Sequence, residues 1–296
     1  MISIISQVFL LLLLLLVVVL PISYSLLQID CQGNSANDYT ACQQFIQTYL
    51  QSYTGNIQNV PAGCPPQGYN QQQIPFVSNH YDDDLYVQNG GGLRVYMSLE
   101  LVDMVDIDTR SGLVYLNLNI DLRWVDYRLA WNQSLTNGIS TVYFDSKYMF
   151  VPDITLYNQG SGSTILDAPV ILSSDGYCWL SRQAYLIYDC NMVLDKFPFD
   201  TQQCAMQWGS WMNGARGIDL LVTSNQFSND TSVNQLYSSS FKQSISWNTV
   251  SFTPSQAITD TIYGPFAFVY YTLTCQRYSE YYVYTAIMPD IIVTVL

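Results

Sequence analysis

From Leu93 onward the chain alternates. LRVYMSLELVDMVDID (93–108) and LVYLNLNIDLRW (113–124) place apolar side chains at nearly every second position, and Thr109-Arg110-Ser111-Gly112 separates them. Successive strand side chains point to opposite faces, so a period of two marks a strand with one face buried. Two such runs around a short turn predict a hairpin. Further strand-like runs cover 166–173, 178–189, 203–208, 219–223, 246–253 and 266–275. Many short strands with turns between them predict an all-β fold, a β-sandwich of the immunoglobulin-like Greek-key kind. The 24 tyrosines and 6 tryptophans suit pleated, half-buried strands.

The flanks read differently. Residues 8–20 are almost pure Leu and Val, too short a run for a spanning helix, and Ser23 and Ser25 follow Pro21 as a small-x-small cleavage site. Residues 1–25 are therefore expected to be a signal peptide, although the charged leading segment is missing; an uncleaved anchor is the alternative. Either places the rest of the chain in an oxidising lumen. Residues 26–92 form a second expected region. Cys42, Phe45, Ile46 and Leu50 in DYTACQQFIQTYLQS (38–52) have helical spacing, and 55–92 is rich in Gly, Pro, Asn and Gln. Asp82-Asp83-Asp84 within it reads either as a cation site or, more commonly for adjacent acids, as a solvated turn. Residues 93–280 are the expected sandwich. The apolar run YYVYTAIMPDIIVTVL (281–296) is about four-fifths of a spanning helix and reads as the start of one, cut off.

Charge and cysteines narrow the functions. A formal net charge of −13 argues against nucleic acid as a partner and favours cations. The seven cysteines (Cys31, Cys42, Cys64, Cys178, Cys190, Cys204 and Cys275) leave at least one unpaired within the chain. Cys190 and Cys204 are the expected pair; a closed loop of about 15 residues contributes roughly 3 kcal/mol in the chain-entropy model. Two of the three N-terminal cysteines are expected to pair, but spacing does not say which. The single histidine, His80, has no metal-binding company, so no metal or other cofactor is implied. Asn132-Gln133-Ser134 and Asn229-Asp230-Thr231 are glycosylation sequons consistent with secretion.

The loop CNMVLDKFPFDTQQC (190–204) is unusual: a covalently closed loop loaded with Phe197, Pro198 and Phe199, followed by Asp200. A purely structural staple does not need the phenylalanines. The loop resembles the signature loop of the Cys-loop (pentameric) ligand-gated ion channels. Trp124-Val-Asp-Tyr-Arg-Leu-Ala-Trp131-Asn132 is similar to that family's W-x-D-x-x-L-x-W segment. Phe150-Val-Pro152-Asp153-Ile-Thr-Leu-Tyr157-Asn158 is similar to its W-x-P-D-x-x-L-Y-N segment, with Phe for the usual Trp. Trp211 follows Cys204 in CAMQWGSW as the family's binding-loop tryptophan does, and Gln276-Arg277 before an apolar run with Pro289 resembles the junction with the first membrane helix. The resemblance covers about 93–296.

The resemblance implies an extracellular sandwich at the plasma membrane, one of five subunits of a homo- or hetero-pentamer. A small-molecule agonist would bind between subunits and the signal would pass to membrane helices. Phe197, Pro198 and Phe199 would be an apolar foot on those helices, Asp200 would face Arg277, and Asp108 stands at the neighbouring turn beside Thr109, where an acidic coupling residue is common. The alternative for Phe197 and Phe199 is the core. Tyr157, Trp211, Phe266 and Tyr263 would line one side of the ligand site; electron-rich rings suit a cationic amine, at roughly 0.5–2 kcal/mol per cation–π contact. Across the interface Asn119 stands where an aromatic is usual, and Asp121 where amino-acid-gated members carry Arg, which favours a cation over a carboxylate. The hairpin lacks the adjacent cysteine pair of acetylcholine-binding subunits. A soluble secreted amine-binding protein of the same fold is the second possibility, opposed by the 281–296 run. An enzyme has no support: one histidine, no nucleophile elbow, no metal cluster.

Overall fold

The computed structural model describes Gln72, Ile74, Pro75 and residues 92–136, 138–223 and 237–295. The expected signal peptide, the 38–52 helix, nearly all of 55–92, Cys31, Cys42, Cys64, His80, Asp82–Asp84 and Asn229 lie outside the described residues.

Twelve strands follow in order: β1 Leu93–Asp108, β2 Leu113–Val125, β3 Thr141–Phe144, β4 Ile154–Leu156, β5 Thr164–Ile165, β6 Val170–Ser173, β7 Tyr177–Asp189, β8 Thr201–Ser210, β9 Ile218–Val222, β10 Tyr237–Lys242, β11 Trp247–Thr261 and β12 Gly264–Arg277. The alternation at 93–125 is the β1–β2 hairpin, in register from Tyr96↔Arg123 to Asp108↔Leu113 with two bulges in β1. Its turn needs Gly112, whose φ of 74° L side chains rarely adopt. Among the described residues the strands form an 8-stranded sheet, β10-β1-β2-β7-β6-β3 with β5 on β7 and β9 on β1, and a 4-stranded sheet, β11-β12-β8-β4.

Of the expected run at 166–173 only Val170–Ser173 is strand; Pro169, which has no N–H to donate, precedes it, and the short β5, Thr164–Ile165, pairs with β7 ahead of the run and was not expected. The sequence signals also missed β3, β4 and β10, and ended β11 at 253 rather than Thr261.

The inward faces supply the core. Leu99, Leu116, Leu118 and Trp124 of the larger sheet and Met206, Trp208, Val269 and Leu273 of the smaller are buried. Tyr271 crosses between the sheets: its hydroxyl donates to Met97 O and accepts from Leu99 N, each at 3.2 Å. Burial raises the Tyr271 phenol's pKa, so it stays a neutral pin. Cys178 and Cys275 are buried free thiols; burial pushes Cys275 up to about 11.

After β12 the chain turns helical through Glu280–Tyr282, a π-helical turn at Val283–Ile287, and Met288–Val295. Among the described residues no helix is long and apolar enough to cross a membrane.

Candidate functional site

Two clusters lie at opposite ends of the smaller sheet. The first is aromatic. β4 delivers Tyr157, whose N–H donates to Gln207 O at 2.8 Å and whose hydroxyl donates to Ser210 O at 2.7 Å. Burial, and secondarily the charge of Asp153, raises the Tyr157 phenol's pKa, which keeps the ring neutral. Asn158 locks the segment across both sheets, donating to Asp189 O and Ala205 O and accepting from Gln207 N.

Trp211 leaves β8 on a turn organised by Asp153. One carboxylate oxygen accepts from Ser210 Oγ at 2.6 Å and Asn213 Nδ2 at 3.1 Å; the other accepts from Met212 N at 2.8 Å. Trp211 is 64 % exposed, and its ring lies 5.6 Å from that of Tyr157. Phe266 reaches this pair through a ring absent from the expected set, Phe268, which meets Tyr157 edge-on at 5.1 Å and stacks on Phe266 at 6.4 Å. Tyr263 stands at the tip of the β11–β12 hairpin, 85 % exposed. The structure therefore brings Tyr157 and Trp211 together, places Phe266 one ring away, and leaves Tyr263 at the rim.

Asn119 and Asp121 lie on the other sheet, on β2. Asn119 Nδ2 donates to Glu100 at 2.7 Å. Asn119 lines an open groove of about 460 Å³ together with Asp103, Leu166, Gln183, Tyr185 and Lys242. None of the last five came from sequence reasoning. Asp121 is not among the residues lining that groove. One of its oxygens sits 3.9 Å from Arg123, which offsets its charge locally; the other is buried without a hydrogen-bond partner. Asn119 and Asp121 thus share no sheet with the aromatic cluster, and only a second chain packed against this one would bring the two faces together.

The second cluster centres on Arg277. Cys190 and Cys204 are disulfide-bonded. Within their loop Phe197 and Phe199 are exposed, at 50 % and 60 %, while Pro198 is buried. The phenylalanines are therefore not core residues. Asp200, 1 % exposed, accepts from Arg277 Nε at 2.7 Å and Nη2 at 3.0 Å. The guanidinium carbon lies 4.2 Å from the Trp247 ring, 5.0 Å from Phe197 and 5.5 Å from Tyr282. Phe197 and Tyr282 also meet edge-on at 4.9 Å.

Gln202, buried, completes the arrangement. Its amide donates to Asp200 at 2.6 Å and to Val193 O at 2.8 Å, and its carbonyl accepts from Val193 N at 2.9 Å. Burial opposes both charges, but hydrogen bonds from Arg277 and Gln202 hold the Asp200 pKa below its ordinary value, and Asp200 in turn raises that of Arg277.

Asp108 does not join this pair. Its carboxylate accepts from Ser111 Oγ at 2.6 Å and Arg110 N at 2.9 Å within its own turn, and the Ser111 hydroxyl is the main cause of its lowered pKa. The same turn does touch the disulfide loop, since Cys190 N donates to Gly112 O at 2.8 Å. Asn132 is exposed, and its side-chain oxygen accepts from Ser134 N in a local turn. Among the described residues no cluster of His, Cys, Asp and Glu could hold a metal ion.

Comparison with known proteins places this geometry. Residues 68–279 match the model of the neurotransmitter-gated ion-channel ligand binding domain. The acetylcholine receptor subunit beta-like 2 of Drosophila melanogaster is 28% identical over 219 residues, covering 71% of this chain and 41% of the relative. The acetylcholine receptor subunit alpha-type acr-16 of Caenorhabditis briggsae is 28% identical over 233 residues, covering 78% and 43%. The neuronal acetylcholine receptor subunit beta-3 of Rattus norvegicus is 29% identical over 133 residues, covering 44% and 28%. The chain spans less than half the length of these relatives. The matched family consists of plasma-membrane ion channels with an extracellular ligand-binding domain, not of enzymes. By its matched residues and its two-sheet fold, the chain belongs to the neurotransmitter-gated ion-channel ligand-binding domain family.

Proposed function

We propose that the protein is a subunit of a pentameric ligand-gated channel of the plasma membrane, and that it binds a small cationic amine at the boundary between subunits. The observation that supports this most directly is the Tyr157–Trp211 pair, 5.6 Å apart with Trp211 largely exposed. Exposed indole and phenol faces attract an organic cation, at roughly 0.5–2 kcal/mol per ring. The relatives' names, acetylcholine receptor subunits, agree with an amine. Phe266 and Tyr263 belong to the same side of the site, and the β2 face with Asn119 and Asp121 is offered to a neighbouring subunit. Residues 93–280 are the ligand-binding unit and 281–296 lead into the membrane. The Asp200–Arg277 pair, with Phe197, Pro198 and Phe199 beside it, couples binding to the pore, with Asp108 in the adjoining turn. In this setting Asn132 and Asn229 carry N-linked glycans on the extracellular side.

The test is ligand competition on cells expressing the protein. Quaternary and primary amines should displace one another and bind more tightly than glutamate or GABA. An anionic ligand that bound more tightly than every amine would refute the assignment.

A further inference from the structure

We infer that Gly209 and Phe268 form a seat that fixes the angle of the Tyr157 ring, and that this seat sets the preference of the site for a charged amine over an uncharged molecule of the same shape. The inference rests on the amine reading above.

Gly209 lies in β8 between two partners, Phe268 on β12 and Thr155 on β4. Trp208 points into the core, so position 209 faces the other side of the sheet. A Cβ there would lie 2.7 Å and 2.8 Å from two Phe268 ring carbons and 3.3 Å from Cε2 of Tyr157. The φ of Gly209 is not positive, so what matters is the missing side chain and not backbone freedom. Phe268 lies against this gap, 5 % exposed, with its neighbours Phe266 and Tyr270 at 6.4 and 6.3 Å.

Tyr157 is thereby held at two points. Its hydroxyl is tied to Ser210 O, and its ring meets Phe268 at an interplanar angle of 85°. Phe268 is too buried to touch ligand; it is a positioning residue that acts through Tyr157. The direction of its effect follows from the ring quadrupole. Attraction to a cation depends on presenting the ring face, whereas apolar contact depends mainly on area. Tilting Tyr157 therefore weakens a cation more than its neutral isostere.

The experiment uses the full chain in washed membranes of expressing cells, with radiolabelled choline as probe and 3,3-dimethylbutan-1-ol, its uncharged carbon isostere, as competitor. In the wild type choline should bind more tightly than the alcohol. Gly209→Ala should weaken choline about tenfold and the alcohol by less than about threefold. Phe268→Ala placed in the Gly209→Ala background removes both clashing ring carbons and should return choline binding to within about threefold of Phe268→Ala alone, a non-additive result. If Gly209→Ala does not reach the membrane, the double variant should restore delivery as well as binding. Wild-type choline affinity in Gly209→Ala, equal loss of both ligands, or no recovery in the double variant overturns the seat while leaving the amine reading standing. A wild type that does not distinguish choline from the alcohol overturns the amine reading, and the seat with it.

Discussion

Asp200→Asn is the sharpest perturbation of the Arg277 cluster, because it removes a charge and nearly keeps the shape. The wild-type carboxylate makes three short hydrogen bonds, two to Arg277 and one to Gln202, at 1 % exposure. Breaking a buried pair from one side costs about 3–5 kcal/mol. The expected cost is the lower end, about 3 kcal/mol. The Asn oxygen still accepts one bond from Arg277, and the Trp247 face, 4.2 Å from the guanidinium, still holds the cation. Urea unfolding of the purified chain, followed by tryptophan fluorescence, measures this.

The pH dependence carries a second signature. Asp200 has a folded pKa below that of an unfolded aspartate, about 3.9. Its stabilisation is therefore complete above about pH 4 and is lost as pH falls through the folded value. The gap between wild type and Asp200→Asn should be flat above about pH 5 and should close below pH 4. A double-mutant cycle with Arg277→Gln should show coupling of about 1.5 kcal/mol or more. Strict additivity, or a gap that stays constant into strong acid, would refute the pair as a stabilising contact.

Other outcomes follow from the same geometry. Gln202→Leu strands both backbone groups of Val193 and should cost about 1–3 kcal/mol in the same unfolding assay. Cys190→Ser opens the disulfide loop, should cost roughly 3 kcal/mol, and should abolish surface assembly as read by antibody labelling of intact cells. Trp211→Ala should weaken amine binding by about 2 kcal/mol, roughly 30-fold, in competition binding, with thermal stability little changed because the ring is mostly exposed.

The long strands were legible because one face of each is buried: β1, β2 and β7 carry a period of two over many residues. β3 and β4 are too short for a period to show, and β10, YSSSFK, has little apolar content. Its strand state comes from parallel pairing with β1, a partner remote in sequence. The outer half of β11 is exposed at every residue from Ser255 onward, so no alternation marks it; the register with β12 does. The site divides in the same way. Tyr157, Trp211, Asp200 and Arg277 stood in recognisable motifs. Trp247 meets Arg277 only through the β11–β12 register, and Phe268 meets Gly209 only through β12–β8. A glycine that matters for the atom it lacks has no chemical signal of its own.

The two clusters are joined by the same pair of strands. β8 begins one residue after Asp200 and ends one residue before Trp211. β12 runs from Phe266 and Phe268 to Arg277, paired with β8 from Phe268↔Gly209 to Gln276↔Thr201. A ten-residue strand spans about 30 Å and cannot lengthen to absorb a displacement at one end. Slipping the register by one residue would turn Trp208 and Met206 out of the core, so that response is costly as well. A tilt of the β8–β12 pair against the larger sheet, about pins such as the Tyr271 hydroxyl on β1 and Asn158 on Asp189, would avoid both costs. A cation drawn against Tyr157 and Trp211 would act on strands whose other ends carry Asp200 and Arg277, and a small tilt there would change how Phe197 and Tyr282 meet around the guanidinium.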